Sequence, residues 1–263
     1  ESDKYRNDKT ITKQNFPGVL ALGSNLNLSP IFNNSGLVGY WKFDEGSGTT
    51  ANDSSGNNNN GTLTNGPTWT TGKVGSALSF DGVNDYVDCG NDAILNITDA
   101  LTVEAWVKFN YLDYTGNTGK LLGIGGKGLP DSASPHYGWW FSYDNRSNGK
   151  SFPYTCFGNS AGGPAGGGNN FGGSAYYYTF STDIWYHIAF TITPTEAKLF
   201  INGAKYGPTK SISNLQLSDT SRNLIIGRLS NNPYYFQGLI DDVRIYNRAL
   251  SAAEIQAIYN ATK

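Results

Sequence analysis

From Leu37 to Tyr246 the chain is a succession of short β-type runs closed by turn signals, with no helical periodicity between them. That feature constrains the fold most, because a sheet with no helices to cover it must close on itself or pair with a second sheet. LTVEAWVKF alternates cleanly, with Val103, Ala105, Val107 and Phe109 on one side and Thr102, Glu104, Trp106 and Lys108 on the other. IWYHIAFTI puts Tyr186, Ile188, Phe190 and Ile192 on its apolar face. In AKLFINGAKYG the Asn202–Gly203 pair predicts a type I′ hairpin turn. One helix is expected, after the last strand, where Ser251 and Glu254 spell a capping box ahead of IQAIY.

These signals predict an all-β chain: a two-sheet antiparallel jelly-roll sandwich with a short C-terminal helix. Two regions depart from the rhythm. Residues 1–36 open polar and charged and turn apolar with breaks at Pro17, Gly18 and Gly23, which reads as an N-terminal arm or linker before a domain over 37–263. Between Asn110 and Thr179 the pattern dissolves into Gly- and Tyr-rich enlarged central loops, with strands expected through YGWWFSYD and YYYTF. Loops this long in a compact domain are usually functional or mobile.

GLIDDVRIY raises a specific problem. Strict alternation puts Asp241 on one face with Leu239, Val243 and Ile245, and leaves Asp242 beside Arg244 on the wetter face. On this reading Asp242 needs no special account, whereas Asp241 is a carboxylate on an apolar face, where an unpaired charge is costly.

Composition narrows the partners. With a net charge of −2 and only 15% charged residues, the chain has no basic patch for nucleic acid or an anionic membrane. No apolar run reaches the ~20 residues of a membrane span, and no signal peptide is visible. A chain that opens on Glu1 and has no methionine reads as a processed or excised piece, and its Asn/Gly/Ser/Thr-rich surface suggests an extracellular or cell-surface location. Cys89 and Cys156 are either one disulfide, tying the long middle to an early strand, or two buried free thiols.

LVGYWKFDEGSG, NDSSGNNNNGTL, GSALSFDGVNDYVD, LTVEAWVKF, WYHIAF, LFINGA and GLIDDVRIYNRALSAAEI occur in that order from Leu37 onward. Together they resemble the laminin-G-like, concanavalin A-like lectin domains of secreted prokaryotic proteins. The resemblance implies a jelly roll, a role in carbohydrate binding, adhesion or surface assembly, and, in many members, a calcium ion.

Within the matching motifs Asp44, Asp53, Asp81 and Asp241 are the expected structural calcium ligands, calcium taking six to eight oxygens. The alternative is that Asp241 accepts backbone N–H groups and orders a loop without metal. Tyr137, Trp139, Trp140, Tyr154, Tyr176, Tyr177 and Tyr178 are the expected sugar-stacking residues, although adjacent strand tryptophans face opposite ways and at least one belongs to the core.

Catalysis lacks support. The paired E-x-D-x-x-E run of the fold's glucanase relatives is absent, Glu104 reads as a wet-face strand residue, His187 as structural, and His136 lies in a loop without a G-x-S-x-G partner. The expected function is therefore a non-enzymatic recognition or adhesion module for a glycan or surface protein. The alternative is a filament or pilus-like subunit that self-assembles through residues 1–36.

Overall fold

The structure is a computed structural model that describes residues 34–112, 121–128, 138–147, 150–159, 174–229 and 234–263. Of the two units into which the chain divides, Glu1–Asn33 lies outside these residues and Asn34–Lys263 carries the fold.

The described strands, in chain order, are β1 (Leu37–Trp41), β2 (Thr50–Ala51), β3 (Gly61–Thr64), β4 (Thr68–Thr71), β5 (Ser76–Asp81), β6 (Tyr86–Asp88), β7 (Leu101–Phe109) and β8 (Leu121–Gly128). They continue with β9 (Gly138–Ser147), β10 (Lys150–Asn159), β11 (Trp185–Ile192), β12 (Glu196–Ile201), β13 (Ala204–Ser211), β14 (Leu215–Gln216), β15 (Leu224–Ile226) and β16 (Gln237–Tyr246), followed by helix α1 (Ala252–Thr262).

All pair antiparallel in two sheets. The first runs β13-β12-β11-β7-β16-β5-β4, with β1 also on β16, and the second runs β14-β10-β9-β8-β15-β6-β3-β2. The jelly-roll sandwich is thus as expected. The core between the sheets takes Val103, Ala105, Val107 and Phe109 from β7 and Ile188, Phe190 and Ile192 from β11. Trp139, Phe141 and Tyr143 of β9 and Val87 of β6 join them. Asn202 and Gly203 turn the β12–β13 hairpin at φ 50° and 77°, the left-handed pair a type I′ turn needs.

The long middle holds more strand than its composition suggests, since β8 and β10 flank the expected β9. YYYTF is not a strand. A 3-10 turn at Ser174–Tyr176 leads instead into irregular chain, with the Tyr178 ring against Phe180, Tyr186 and Tyr206. Ring packing takes the place of a backbone ladder there.

Helix α1 starts as read. Ser251 Oγ accepts Glu254 N–H at 3.3 Å, and the Glu254 carboxylate accepts Ser251 N–H at 2.8 Å. Its apolar stripe, Ile255 and Ile258, packs with Leu250, Ala189, Phe200 and Tyr246 on the outer face of the first sheet. That face is therefore buried too, and polar residues of β7, β11 and β16 lie beneath a helix instead of in water.

The phase of β16 is corrected by a bulge. Asp241 pairs with Trp106 and Arg244 with Glu104, so two residues, Asp242 and Val243, stand opposite Ala105. Asp242 takes φ 52°, a left-handed conformation that aspartate tolerates better than most residues. Ile240 points into the core before the bulge, and Val243 and Ile245 do so after it. Asp241 consequently does not share a face with Val243 and Ile245; it lies on the outer face.

Candidate functional site

Each of the four expected metal ligands is engaged by N–H groups. Asp241, 0% exposed, accepts Lys73 N–H at 2.7 Å and Val74 N–H at 2.9 Å through Oδ2, while Oδ1 is buried without a partner. Burial pushes its carboxyl up to about 7; the negative charges of Asp242 and Asp44 push the same way, and the two amides oppose them. Asp44 Oδ1 accepts Ser76 N–H at 3.0 Å from the same turn. That turn closes at Gly75 (φ 67°), where a Cβ would come within 2.1 Å of Asp44 Oδ1.

Asp53 orders the D-S-S-G-N loop by accepting Tyr40 N–H at 2.9 Å, Ser55 N–H at 2.8 Å and Asn59 N–H at 3.0 Å. Asp81 accepts Val83 N–H at 2.8 Å and Asn84 N–H at 3.3 Å in its own turn. Calcium needs converging oxygens; amide hydrogens take one oxygen each of Asp44, Asp81 and Asp241 and both of Asp53, and Asp241 Oδ1 is left bare. Among the described residues no three His, Cys, Asp or Glu side chains gather as a metal site. Asp44, Asp53, Asp81 and Asp241 therefore do not converge on one point among the described residues.

The aromatic set is packed. Trp139 is 2% exposed with its ring 6.1 Å from that of Phe190 in the core, as expected of one of the pair. Trp140 lies on the other face and is still only 1% exposed, its indole N–H donating to the Gly128 carbonyl at 3.0 Å. Neither ring offers a face to a sugar. Tyr176 is buried, and Tyr177 and Tyr178 are half-buried. The Tyr206 hydroxyl donates to the Tyr177 carbonyl. Tyr137 and His136 lie outside the described residues, and Tyr154 is placed only by its strand, β10.

The disulfide is also corrected. Cys89 follows β6, and Cys156 lies on β10, four strands away in the second sheet. At about 4.8 Å per strand they stand roughly 19 Å apart, far beyond disulfide reach. Cys89 is a free, buried thiol, and burial pushes its pKa well up.

Two constellations were not anticipated. The first lies under α1. Glu104, 0% exposed, accepts Arg244 Nη1 at 3.2 Å and stands 3.4 Å from His187 Nε2. Asp242, 3% exposed, accepts the Tyr40 hydroxyl at 2.5 Å and Arg244 Nη2 at 3.3 Å. Burial works against the Arg244 charge, but Glu104 and Asp242 outweigh it and hold its pKa up. Neither the wet-face reading of Glu104 nor the ordinary-strand reading of Asp242 survives. The cluster is roofed by Trp106, whose ring stacks on Tyr259 at 5.6 Å and whose N–H donates to Thr262 Oγ1 at 2.9 Å.

The second constellation is open. Because Val87 faces the core, its neighbours Tyr86 and Asp88 face outward from the second sheet, beside Thr64 and Thr62 of β3. Asn223 Nδ2 donates to both oxygens of Asp88, at 2.9 and 3.0 Å, and the Arg228 guanidinium lies 4.1 Å from the Tyr86 ring centre. Thr62 and Asn223 are exposed, and Tyr86, Asp88, Thr64 and Arg228 are half-buried. An aromatic ring, a carboxylate, an amide and a guanidinium thus share one shallow face, a set able to hydrogen-bond a polyhydroxylated ligand. The D-Y-V-D alternation made Tyr86 and Asp88 legible; nothing local announced Arg228 or Asn223 as their neighbours.

A laminin G-type family model, described as the concanavalin A-like lectin/glucanases superfamily, matches residues 81–256, more than half of the chain. The chain belongs to that superfamily. No curated protein sequence matches this lectin-like chain.

Among solved structures it is similar to domain 4 of an extracellular arabinanase from Geobacillus stearothermophilus, in complex with arabinotriose. That match has 22% identity and TM-score 0.62, and covers 86% of this chain and 100% of that one. It is likewise similar to the binding domain of a paraclostridial mosquitocidal protein (20%, TM-score 0.62, 86% and 52% covered). A third is the receptor binding domain of botulinum neurotoxin D (16%, TM-score 0.60, 87% and 53% covered). The match spans about half of each toxin chain and all of the arabinanase domain. At these identities the likeness shows a shared fold. No helix among the described residues is long and apolar enough to cross a membrane.

Proposed function

We propose that this superfamily member is a non-catalytic, extracellular carbohydrate-recognition module that holds saccharide on the outer face of its second sheet. The observation that carries the reading is the grouping of Tyr86, Asp88, Asn223 and Arg228 on one accessible face. The arabinotriose complex of the structurally similar arabinanase domain supports the ligand class. Support for a binding rather than catalytic role comes from Glu104, Asp241 and Asp242. These grouped carboxylates are at most 3% exposed and do not flank an open cleft as hydrolysis would require.

The test is affinity electrophoresis through gels containing arabinan, galactan, polygalacturonate or alginate. Tyr86→Ala and Asp88→Ala are expected to weaken retention about tenfold, a loss of ~1.4 kcal/mol of binding, with circular dichroism melts confirming the fold. Unchanged retention by both variants would refute this face as the site.

Calcium stabilisation is tested separately. With N–H donors turned toward Asp44, Asp53, Asp81 and Asp241, dialysis against EGTA is expected to leave Tm unchanged. A rise in Tm on returning calcium would demand a site built from other oxygens. Assembly through residues 1–36 concerns a segment mostly outside the described residues, and a sizing column with and without that segment decides it.

A further inference from the structure

We propose that the saccharide is an acidic one, and that Arg228 is the specificity-determining residue that takes its carboxylate; this rests on the reading of the second sheet's outer face as a sugar site. Arg228 is set apart from the other arginines that meet carboxylates. Arg244 pairs with Glu104 and Asp242, and Arg248 with Glu254 at 2.7 Å. Among the described residues Arg228 has no ion-pair partner, and its Nε is buried with no hydrogen-bond acceptor.

That Nε is enclosed and beyond a ligand's reach, so the terminal Nη groups are the ones a ligand would meet. Here the guanidinium also lies over the Tyr86 ring, its carbon 4.1 Å from the ring centre, a contact that holds its position before any ligand arrives. A guanidinium fork matches the two coplanar oxygens of a carboxylate, and one already positioned loses less freedom on binding.

The neighbouring groups set the direction of the sugar. Asp88 is two residues along β6 from Tyr86, about 7 Å at the strand rise. Its carboxylate is clamped by Asn223 Nδ2 and by Gly90 N–H at 2.9 Å. It accepts hydrogen bonds, so it favours hydroxyls and repels a second anion. A cationic end and an acceptor end one sugar residue apart suit a ring that bears a carboxylate at one side and hydroxyls at the other. A chain of densely sulfated sugars would place a negative charge against Asp88.

The experiment compares retention of the intact chain in polygalacturonate, alginate, fully methyl-esterified polygalacturonate, a sulfated galactan and neutral galactan. At least tenfold stronger retention by one of the two carboxylated polymers than by methyl ester or galactan is expected. Arg228→Gln should reduce that preference to near unity with the melt unchanged. Equal retention by polygalacturonate and its methyl ester without a preference for alginate overturns the acidic-sugar inference and leaves the sugar-binding reading standing. So does stronger retention by the sulfated galactan, or a preference that persists in Arg228→Gln. No retention by any of the five polymers overturns both.

Discussion

Glu104→Ala is expected to destabilise the domain by about 3–5 kcal/mol, the range for removing one partner of a buried ion pair. Glu104 is 0% exposed and the Arg244 side chain 11%, so neither charge can fall back on water when the other is removed. With Glu104 gone, the guanidinium keeps Asp242 at 3.3 Å and the Tyr40 hydroxyl at 2.6 Å, but loses the acceptor at 3.2 Å on Nη1. A cavity also opens beneath Trp106 and α1, whose packing this cluster supports. Glu104→Gln keeps the shape and a neutral acceptor and should cost roughly half as much, since hydrogen bonds to charged groups are about twice as strong as neutral ones. Replacing Glu104 and Arg244 together by leucine and methionine should not recover the loss, because Asp242, 3% exposed, then loses its cation in turn. Urea unfolding measures all three. A loss within about 0.5 kcal/mol for Glu104→Ala, typical of an exposed strand residue, would return Glu104 to the solvent face.

Glu104 also shows where the sequence stops being informative. Alternation in LTVEAWVKF correctly sorted core-facing from outward-facing residues, since pleating alone decides that. Whether the outward face meets water depends on where α1 docks, and that contact joins Ile255 and Ile258 to Ala189, Phe200 and Tyr246 across the whole domain. Trp140, on the second sheet, is likewise buried on the face opposite the core. In β16 the period failed for a local reason: one bulged residue, Asp242, shifts every later side chain to the other face. The two adjacent aspartates were the trace of that bulge, because aspartate is a poor strand former yet tolerates the left-handed region. The Tyr86–Arg228 contact and the separation of Cys89 from Cys156 follow from strand order, and strand order is a property of the assembled sheet.

Asp241→Asn is expected to stabilise the domain at pH 8 and to change it little at pH 5. The Asp241 carboxyl is raised from the ordinary 3.8 to about 7, with burial the largest cause. Below the ordinary value both folded and unfolded chains carry the proton, and the contribution to stability is complete. As pH rises through the folded value, the folded chain must ionise a buried carboxyl that the unfolded chain ionises freely, and that contribution is lost. At 1.36 kcal/mol per pKa unit the full swing is about 4 kcal/mol. Asparagine does not titrate, and its carbonyl oxygen can still accept Lys73 and Val74 N–H. Its amide replaces Oδ1, which has no partner, and an unmatched buried donor costs about 1–3 kcal/mol. The net gain expected at pH 8 is therefore about 1–3 kcal/mol, the part of the ionisation penalty left after that cost. Asp241→Ala should instead destabilise at both pH values, because it abandons the two turn amides. The comparison also bears on calcium. A cation on Oδ1 would lower the carboxyl's pKa and make the charge an asset. Asp241→Asn would then be most harmful at pH 8, the reverse of the order predicted from a buried, metal-free carboxylate.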